Sequence, residues 1–441
     1  MKSTIQSGNP NVWLVGKACA FATAMVAASI AYASPTVTID SVAQRWPWNN
    51  KVDITYTVND GTDMAKAATG QDAYYKIVFD AEIGGQTYTI DGSKDIIAPV
   101  TDGQHTITWT NAPSGIRDMN CSMGATILTT DAYYMIVDLT TGAWAVDDLE
   151  DGDSANATPT NSVARYAGTS ADYNTKTEYM TDKLVLRRIP RTTETGSPYS
   201  SGYPTGDSGQ SGYSNEKNSP TNWVTSKDYF IGMFTLTRAQ YNRIMGRDVS
   251  YEYPECARPI VISWQTIRNS KRPTVALDSN ASSTSVLERL NALTGLSGFD
   301  LPTEVMLEIA ARAGDTTTYA YGLNSISATI VKNYTAYSES DSYRAVNDAT
   351  GKHPALSNKW GLFQVMGNGY KLCRDSYGRP DMADALDPWT PYDDASATKT
   401  IMRDGPERGD ANVGSVGWKI SRRRGLEKSS SFPVRISFVA Q

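Results

Sequence analysis

Between residues 36 and 141 apolar and polar positions alternate with a period of two, broken by turn signals. Val52, Ile54, Tyr56 and Val58 alternate with polar residues and run into Asn59-Asp60-Gly61, which predicts a strand and its turn. "YYKIVFDAEIGGQTYTI" predicts two strands around a tight Gly84-Gly85 turn. "HTITWT" from His105, "ATILTT" from Ala125 and "YYMIVDL" from Tyr133 continue the series. Around seven short strands over ~100 residues, with no helical pattern among them, predict an all-β sandwich of the immunoglobulin or fibronectin kind. Modules of that kind space, display or dock.

The pattern then changes. "DDLEDGDSANATPTNS", from Asp147 to Ser162, is acidic and breaker-rich and reads as a linker. It lacks the glycine and terminal glutamate of a calcium loop. A second polar tract, Thr192 to Asn222, is rich in Ser, Gly, Tyr and Pro and predicts a long surface loop. Helical periodicity follows. "TLTRAQYNRIMG" offers a capping box, Thr237 with Gln240, and a stop at Gly246; "SVLERLNALTG" offers the same with Ser285, Glu288 and Gly295. In "DLPTEVMLEIAARAG", Thr303 caps a helix from Glu304 to Ala313 and Gly314 stops it. Val305, Met306, Ile309, Ala310 and Ala313 form one apolar face, and Glu308 and Arg312 can pair at i,i+4 on the other. Beyond Gly314 aromatics and glycines abound and periodicity is scarce. Short helices set in much irregular chain predict an α+β domain. The chain divides accordingly into a leader (1–33), a β-sandwich (34–146), a linker (147–177) crossed by few contacts, and a C-terminal α+β domain (178–441).

The leader is an address. Lys17 precedes the apolar run "ACAFATAMVAASIAYA", which ends in small residues at Ala31 and Ala33. The run is short for a membrane helix, which needs about 20 residues. Export to the periplasm, cell surface or medium is expected, with cleavage after Ala33 and no membrane span afterwards. Net charge is −6, or −8 once Lys2 and Lys17 are lost, which argues against nucleic acid as a partner. Two histidines, His105 and His353, exclude a histidine-rich zinc site, and no nucleophile motif surrounds a serine. Past the leader only Cys121, Cys256 and Cys373 remain, at no metal-pair spacing. Cys256 and Cys373 could pair, and buried free thiols are the simpler reading.

From Asp182 to Ala440 the chain resembles the formylglycine-generating enzyme, or sulfatase-modifying factor, family. "KLVLRRIP" followed by "GSP" resembles its opening strand and loop, "DYFIGMFTLTRAQYNRIMG" its first helix region and "RPIVISW" its next strand. "LPTEVMLEIAARAG" and "WGLFQVMGNGYKLC" resemble its two most recognisable motifs, with "RDG" at Arg403 and "ISF" at Ile436 in its closing strands. The resemblance implies a C-type-lectin-like α+β fold. It also implies a metal chemistry that this chain lacks. Active members carry two cysteines five residues apart after an Arg-Gly-Gly segment, where soft thiolates bind copper. Laid on "RDGPERGDANVGSVGWKISR", those positions are Gly409 and Gly414. Cys373 fits a cysteine that many members carry after the glycine-asparagine motif. In "GNGYKL" the family's asparagine is kept as Asn368, while Lys371 replaces a glutamate that helps hold calcium. Asp300 and Val439 stand where the family usually has arginine. Neither copper nor calcium is therefore expected as a cofactor, and no catalytic or metal residue is assigned.

What remains is binding. Arg422, Arg423 and Arg424 lie near Arg403 and Arg408 in the resembling segment, as a phosphate, sulfate or carboxylate pocket or, more simply, as a solvated edge with internal ion pairs. Trp360 and Trp418 are candidates for stacking on a ligand, with core packing the plainer alternative. The sequence thus predicts an exported, non-catalytic module for a glycan, peptide or surface protein, with Arg403, Arg408, Trp418, Arg422 and Trp360 as candidate contacts. The alternative is a divergent oxidoreductase or another enzyme on the same scaffold.

Overall fold

The alternation read between residues 36 and 130 becomes two small antiparallel sheets. The computed structural model describes residues 34–45, 50–71, 73–93, 95–113, 121–130, 133–147, 177–193, 197, 199–206, 221–252, 254–327, 330, 334, 357–378, 388–403, 405, 420 and 423–440. The leader and most of the expected linker lie outside the described residues, as does His353. Strands β1 (Thr36–Gln44), β2 (Val52–Asn59), β3 (Tyr74–Ile83), β4 (Gln86–Asp91), β5 (Gly103–Trp109) and β6 (Cys121–Thr130) pair in the orders β1-β2-β5 and β4-β3-β6. Along β2 buried and half-buried residues alternate without a break, so one face is committed inward. Ile54 and Tyr56 from one sheet meet Ile77 and Phe79 from the other in a shared apolar core. The β3–β4 hairpin turns on Gly84 and Gly85, whose φ angles of 59° and 84° suit a two-residue turn that glycine adopts without a Cβ clash.

The N-terminal half also contains a helix that its period-two pattern did not predict. Helix α1 (Met64–Thr69) is capped by Asp63, which accepts a 3.0 Å hydrogen bond from the Ala65 N–H, and ends at Gly70 in the left-handed region. Two turns are too short to leave a clear 3.6-residue signal. Its buried residues Met64, Ala67 and Ala68 join the core of the C-terminal half, and the Asp228 N–H donates to the Ala68 carbonyl at 2.8 Å.

A larger correction concerns "YYMIVDL". Strands β7 (Tyr134–Asp138) and β8 (Trp144–Asp147) do not complete the N-terminal sheets. They form the outer hairpin of a six-stranded antiparallel sheet with β9 (Lys183–Ile189) of the C-terminal half. The physical reason is visible in the sequence: β8 and nearly all of β7 are buried on both faces, and a continuous apolar run requires cover on both sides. The expected boundary at residue 146 thus falls inside a strand. Few contacts were expected to cross between the halves. Instead α1 and the β7–β8 hairpin both pack into the C-terminal core, and residues 35–441 form one compact unit. Buried Asp228 adds a polar knot at this seam, accepting from the Tyr74 hydroxyl at 2.9 Å, from Arg188 Nε at 2.8 Å and from the Arg191 N–H at 2.7 Å.

The C-terminal half continues with α2 (Glu178–Thr181), β10 (Tyr203–Thr205), β11 (Thr221–Trp223), β12 (Tyr229–Gly232), α3 (Arg238–Ile244), β13 (Ile262–Ser263) and α4 (Trp264–Arg268). Then come α5 (Val286–Thr294), β14 (Phe299–Asp300), α6 (Glu304–Arg312), β15 (Lys371–Ser376), β16 (Lys399–Arg403), β17 (Arg423–Glu427), β18 (Ser431–Phe432) and β19 (Ser437–Phe438). The large sheet runs β14-β19-β12-β9-β7-β8, and a separate three-stranded sheet runs β15-β16-β17. The tract from Thr192 to Asn222, expected as a surface loop, holds the paired strands β10 and β11 and buries Tyr199 and Tyr203. The Thr237 capping box forms in full. The Ser285 box is half made: the Ser285 hydroxyl caps α5, but the Glu288 carboxylate turns to Lys271 at 2.7 Å.

Candidate functional site

Helix α6 was expected to bury one face. It is buried all round, from Glu304 to Arg312, and the left-handed residues that end it are Ala313 and Gly314. Thr303 caps it through the Met306 N–H at 3.3 Å, and Asp375 from β15 accepts the Glu304 N–H at 2.6 Å, placing a carboxylate at the positive end of the helix. Burial on the second face is achieved by pairing charges. Glu304 accepts from Arg403 at 2.9 Å and from Arg423 at 2.8 Å; Glu308 accepts from Arg312 at 2.8 Å and from Arg403. Burial by itself would raise the Glu308 carboxyl. Arg403 and Arg312, helped by the Gly206 N–H at 2.7 Å, reverse this and hold it below the usual carboxylate range.

This lattice settles the place of Arg403 among the candidate contacts. Its guanidinium is fully buried, joined to two glutamates and to the Ile420 carbonyl at 3.0 Å. Reaching a ligand would mean breaking buried ion pairs, so Arg403 is a structural residue. Arg423 is its partner in that role, and its β17 neighbour Arg424 stands over the Tyr370 ring, 6.0 Å from the centroid. Trp360 is likewise internal, held edge-on by Tyr199 and Tyr203 with ring centroids 5.7 and 5.4 Å away. Trp360 packs in the core, and Arg403 and Arg423 make internal ion pairs, but as buried residues and not on the solvated edge expected of them. Arg408, Trp418 and Arg422 lie outside the described residues, as do Gly409 and Gly414.

Next to the lattice is the "GNGYKL" turn. Gly367, Asn368 and Gly369 are all left-handed, with φ of 85°, 53° and 88°. Two of the three positions are glycine and the third is asparagine, the residue that best tolerates this region after glycine. The Asn368 side chain donates to Gln364 Oε1 at 2.6 Å. Lys371 has no exposed surface, and its ammonium donates to the Gly367 carbonyl. A calcium site needs several hard oxygen donors around a cavity. Here an ammonium, at the position where the resemblance puts a carboxylate, holds one of the turn's carbonyls, so the residues do not fit that ion. Among the described residues, no cluster of three or more His, Cys, Asp or Glu is arranged for a metal.

The described thiols offer no substitute copper pair. Cys256 sits in a single helical turn at Glu255–Ala257 and Cys373 in β15; both are buried and they form no disulfide. Burial pushes the Cys256 thiol up, away from the thiolate that copper prefers.

Two cavities among the described residues lie elsewhere. The larger, ≈ 810 Å³, opens where the N-terminal sheets meet the C-terminal half. Arg45, Asp95, His105 and Asn111 face Asp138, Glu178 and Lys183 across it, and Trp144 contributes an apolar wall. Neither this cleft nor the smaller cavity was legible beforehand, since each gathers residues from distant parts of the chain.

Residues 201–403 match the family model described as sulfatase-modifying factor enzyme 1-like domain. Among solved structures the chain is similar to PvdO from Pseudomonas aeruginosa, at 15% identity over 58% of this chain and 94% of that one, with a TM-score of 0.42. It is also similar to CarF, at 14% identity over 54% and 95% of the two chains, with a TM-score of 0.33. No curated protein matches the chain. No helix among the described residues is long and apolar enough to cross a membrane.

Proposed function

Residues 201–403 being a sulfatase-modifying factor enzyme 1-like domain, we propose that the chain uses this domain for binding and not for copper-dependent oxidation. The observation that carries the proposal is Lys371. Its buried ammonium stands where the family resemblance puts a calcium-holding glutamate, and it satisfies a carbonyl of the turn itself. The turn is thus built around a covalently attached cation. Gly409 and Gly414, aligned to the copper-binding cysteines by the resemblance, supply no sulfur, and a linear Cu(I) centre needs both sulfurs. The scaffold then serves as a C-type-lectin-like frame for a glycan or peptide, and the N-terminal sheets as an immunoglobulin-like partner module. The polar cleft between the halves supports this reading, because its volume falls in the range of ligand sites and it offers both donors and acceptors. Export follows from the leader pattern of residues 1–33.

The test has two parts. The protein should neither bind Cu(I) stoichiometrically nor convert the cysteine of a sulfatase-type peptide to an aldehyde in air; aldehyde formation, read by peptide mass, would overturn the proposal. Its thermal midpoint should be indifferent to calcium and to chelator, whereas Lys371→Glu should lower the midpoint and make it respond to calcium. A glycan and peptide array identifies the ligand.

A further inference from the structure

The smaller cavity, ≈ 160 Å³, lies between β14, β19, α5 and the first turn of α6. Its lining combines apolar surface from Leu277, Phe299, Met306 and Trp389 with three nitrogen-bearing side chains, Asn291, Arg374 and Lys227. Asn291 is buried, and its Oδ1 accepts the Phe299 N–H at 3.2 Å, which fixes the amide orientation. The other end of that amide, Nδ2, is buried with no hydrogen-bond partner among the described residues. A buried donor left unmet costs about 1–3 kcal/mol, so an acceptor belongs there.

Half-buried Arg374 lines the same cavity. Its Nε donates to the Pro273 carbonyl at 2.6 Å and lies 3.2 Å from Asp300 Oδ2, while no hydrogen bond among the described residues runs from its two terminal nitrogens. Asp300 is not free to serve them better. Arg268 holds both of its oxygens, Nε to Oδ1 at 2.7 Å and the terminal nitrogen to Oδ2 at 3.0 Å. Two other nearby carboxylates are engaged elsewhere: Asp375 accepts the Glu304 and Tyr392 N–H groups, and Asp393 pairs with Arg272. Half-buried Lys227 donates to the Ala440 carbonyl at 3.3 Å and adds a third positive charge near the cavity. Arg268 and Arg374 thus share the one Asp300 carboxylate. Burial, the largest influence, draws the Arg374 guanidinium below its ordinary value despite Asp300, and an added anion would relieve it.

We propose that this cavity binds the carboxylate of a small apolar acid, with Arg374 and Asn291 donating to its oxygens and the apolar part resting against Leu277, Phe299, Met306 and Trp389. Guanidinium and carboxylate match in a two-pronged geometry, which favours a carboxylate over a neutral carbonyl. Size narrows the class. A cavity of about 150 Å³ accommodates benzene, so the acid is of the size of benzoate or a branched short-chain acid, or it is the C-terminal residue of a peptide. The site goes beyond the binding role argued above and does not rest on it, because it would take an acid whether or not the domain handles copper.

The experiment is calorimetric titration of the whole chain with benzoate, with 3-methylbutanoate and with an N-acetylated tripeptide ending in leucine. Each is compared with its amide. At least one acid should bind, and its amide should bind about tenfold or more weakly, as expected for a site that must fill buried donors. Binding of the free acids assigns a small-molecule source; binding of the peptide acid alone assigns a protein C-terminus. Asn291→Asp keeps the acceptor for the Phe299 N–H and replaces the donor with a negative charge. It should abolish binding while thermal unfolding stays within a few degrees. Arg374→Gln should weaken binding by at least about tenfold. No binding of any acid at millimolar concentration, or equal binding of acid and amide, would overturn the proposal without recourse to variants.

Discussion

The N-terminal sheets and helix α6 bury their side chains by opposite means. Between the two small sheets the interior is apolar, Ile54 and Tyr56 against Ile77 and Phe79, and the Tyr56 hydroxyl reaches the Pro99 carbonyl at 2.9 Å. Around α6 five arginine and glutamate positions from three elements are brought inside. An apolar interior is stabilised by area and tolerates change in proportion to the volume lost. A buried ion lattice contributes little net stability when whole, since desolvation offsets attraction, but breaking one member leaves a charge stranded. The first region is graded in its response to mutation and the second is close to all-or-none. The lattice also fixes where β16 and β17 sit against α6, which is the frame of the whole C-terminal domain.

Four outcomes test this contrast. Arg403→Met should have the largest effect, a loss of about 3–5 kcal/mol, because Glu304 and Glu308 each lose a partner inside the protein. Denaturant unfolding measures it, and a loss comparable to a surface substitution would refute the contrast. Acid comes next. The Glu308 carboxyl is depressed in the folded state, so its contribution is fully present above the ordinary glutamate value of 4.5 and is lost as pH falls through the lower folded value. Hydrogen exchange at falling pH should therefore show α6 losing protection before β2 and β3 do. Third, Tyr74→Phe removes the hydroxyl that reaches across the seam to Asp228, a bond to a charged acceptor worth about 1.5–3 kcal/mol. Exchange in the N-terminal sheets should rise while α6 is unaffected. The smallest effect belongs to Ile54→Val, about 0.5–1.5 kcal/mol, with no change in which region opens first.

Much of this molecule was legible along the chain. The Gly84-Gly85 hairpin, the strand at 52–58, the Thr237 capping box and the Thr303 cap are local events, fixed by backbone sterics and by hydrogen bonds spanning a few residues. The family resemblance was equally legible, because its motifs are contiguous. Burial was less legible. Arg403 and Trp360 are candidate ligand contacts in the sequence, with internal ion pairs and core packing as the plainer alternatives, and both are internal. Glu308 and Arg312 pair at the i,i+4 spacing the sequence predicts, but on a buried face. A charged residue carries no sequence mark that tells a solvated face from a paired interior, since the partner of Arg403 lies ~100 residues away and only folding brings it near.

The same division applies to the proposed sites. Residue identity by itself decided that residues 409 and 414 are glycine, without a sulfur, and that residue 371 carries an ammonium, because a side chain's ligand atom is a property of the residue. That β7 and β8 belong to the C-terminal sheet was decided by tertiary structure, which alone could supply cover for both faces of an apolar hairpin. Tertiary structure likewise decided the acid-binding cavity. Asn291, Arg374 and Lys227 become one set of donors only where α5, β15 and the bend before β12 converge, and the unmet hydrogen bond of the Asn291 amide exists only once water has been excluded from around it.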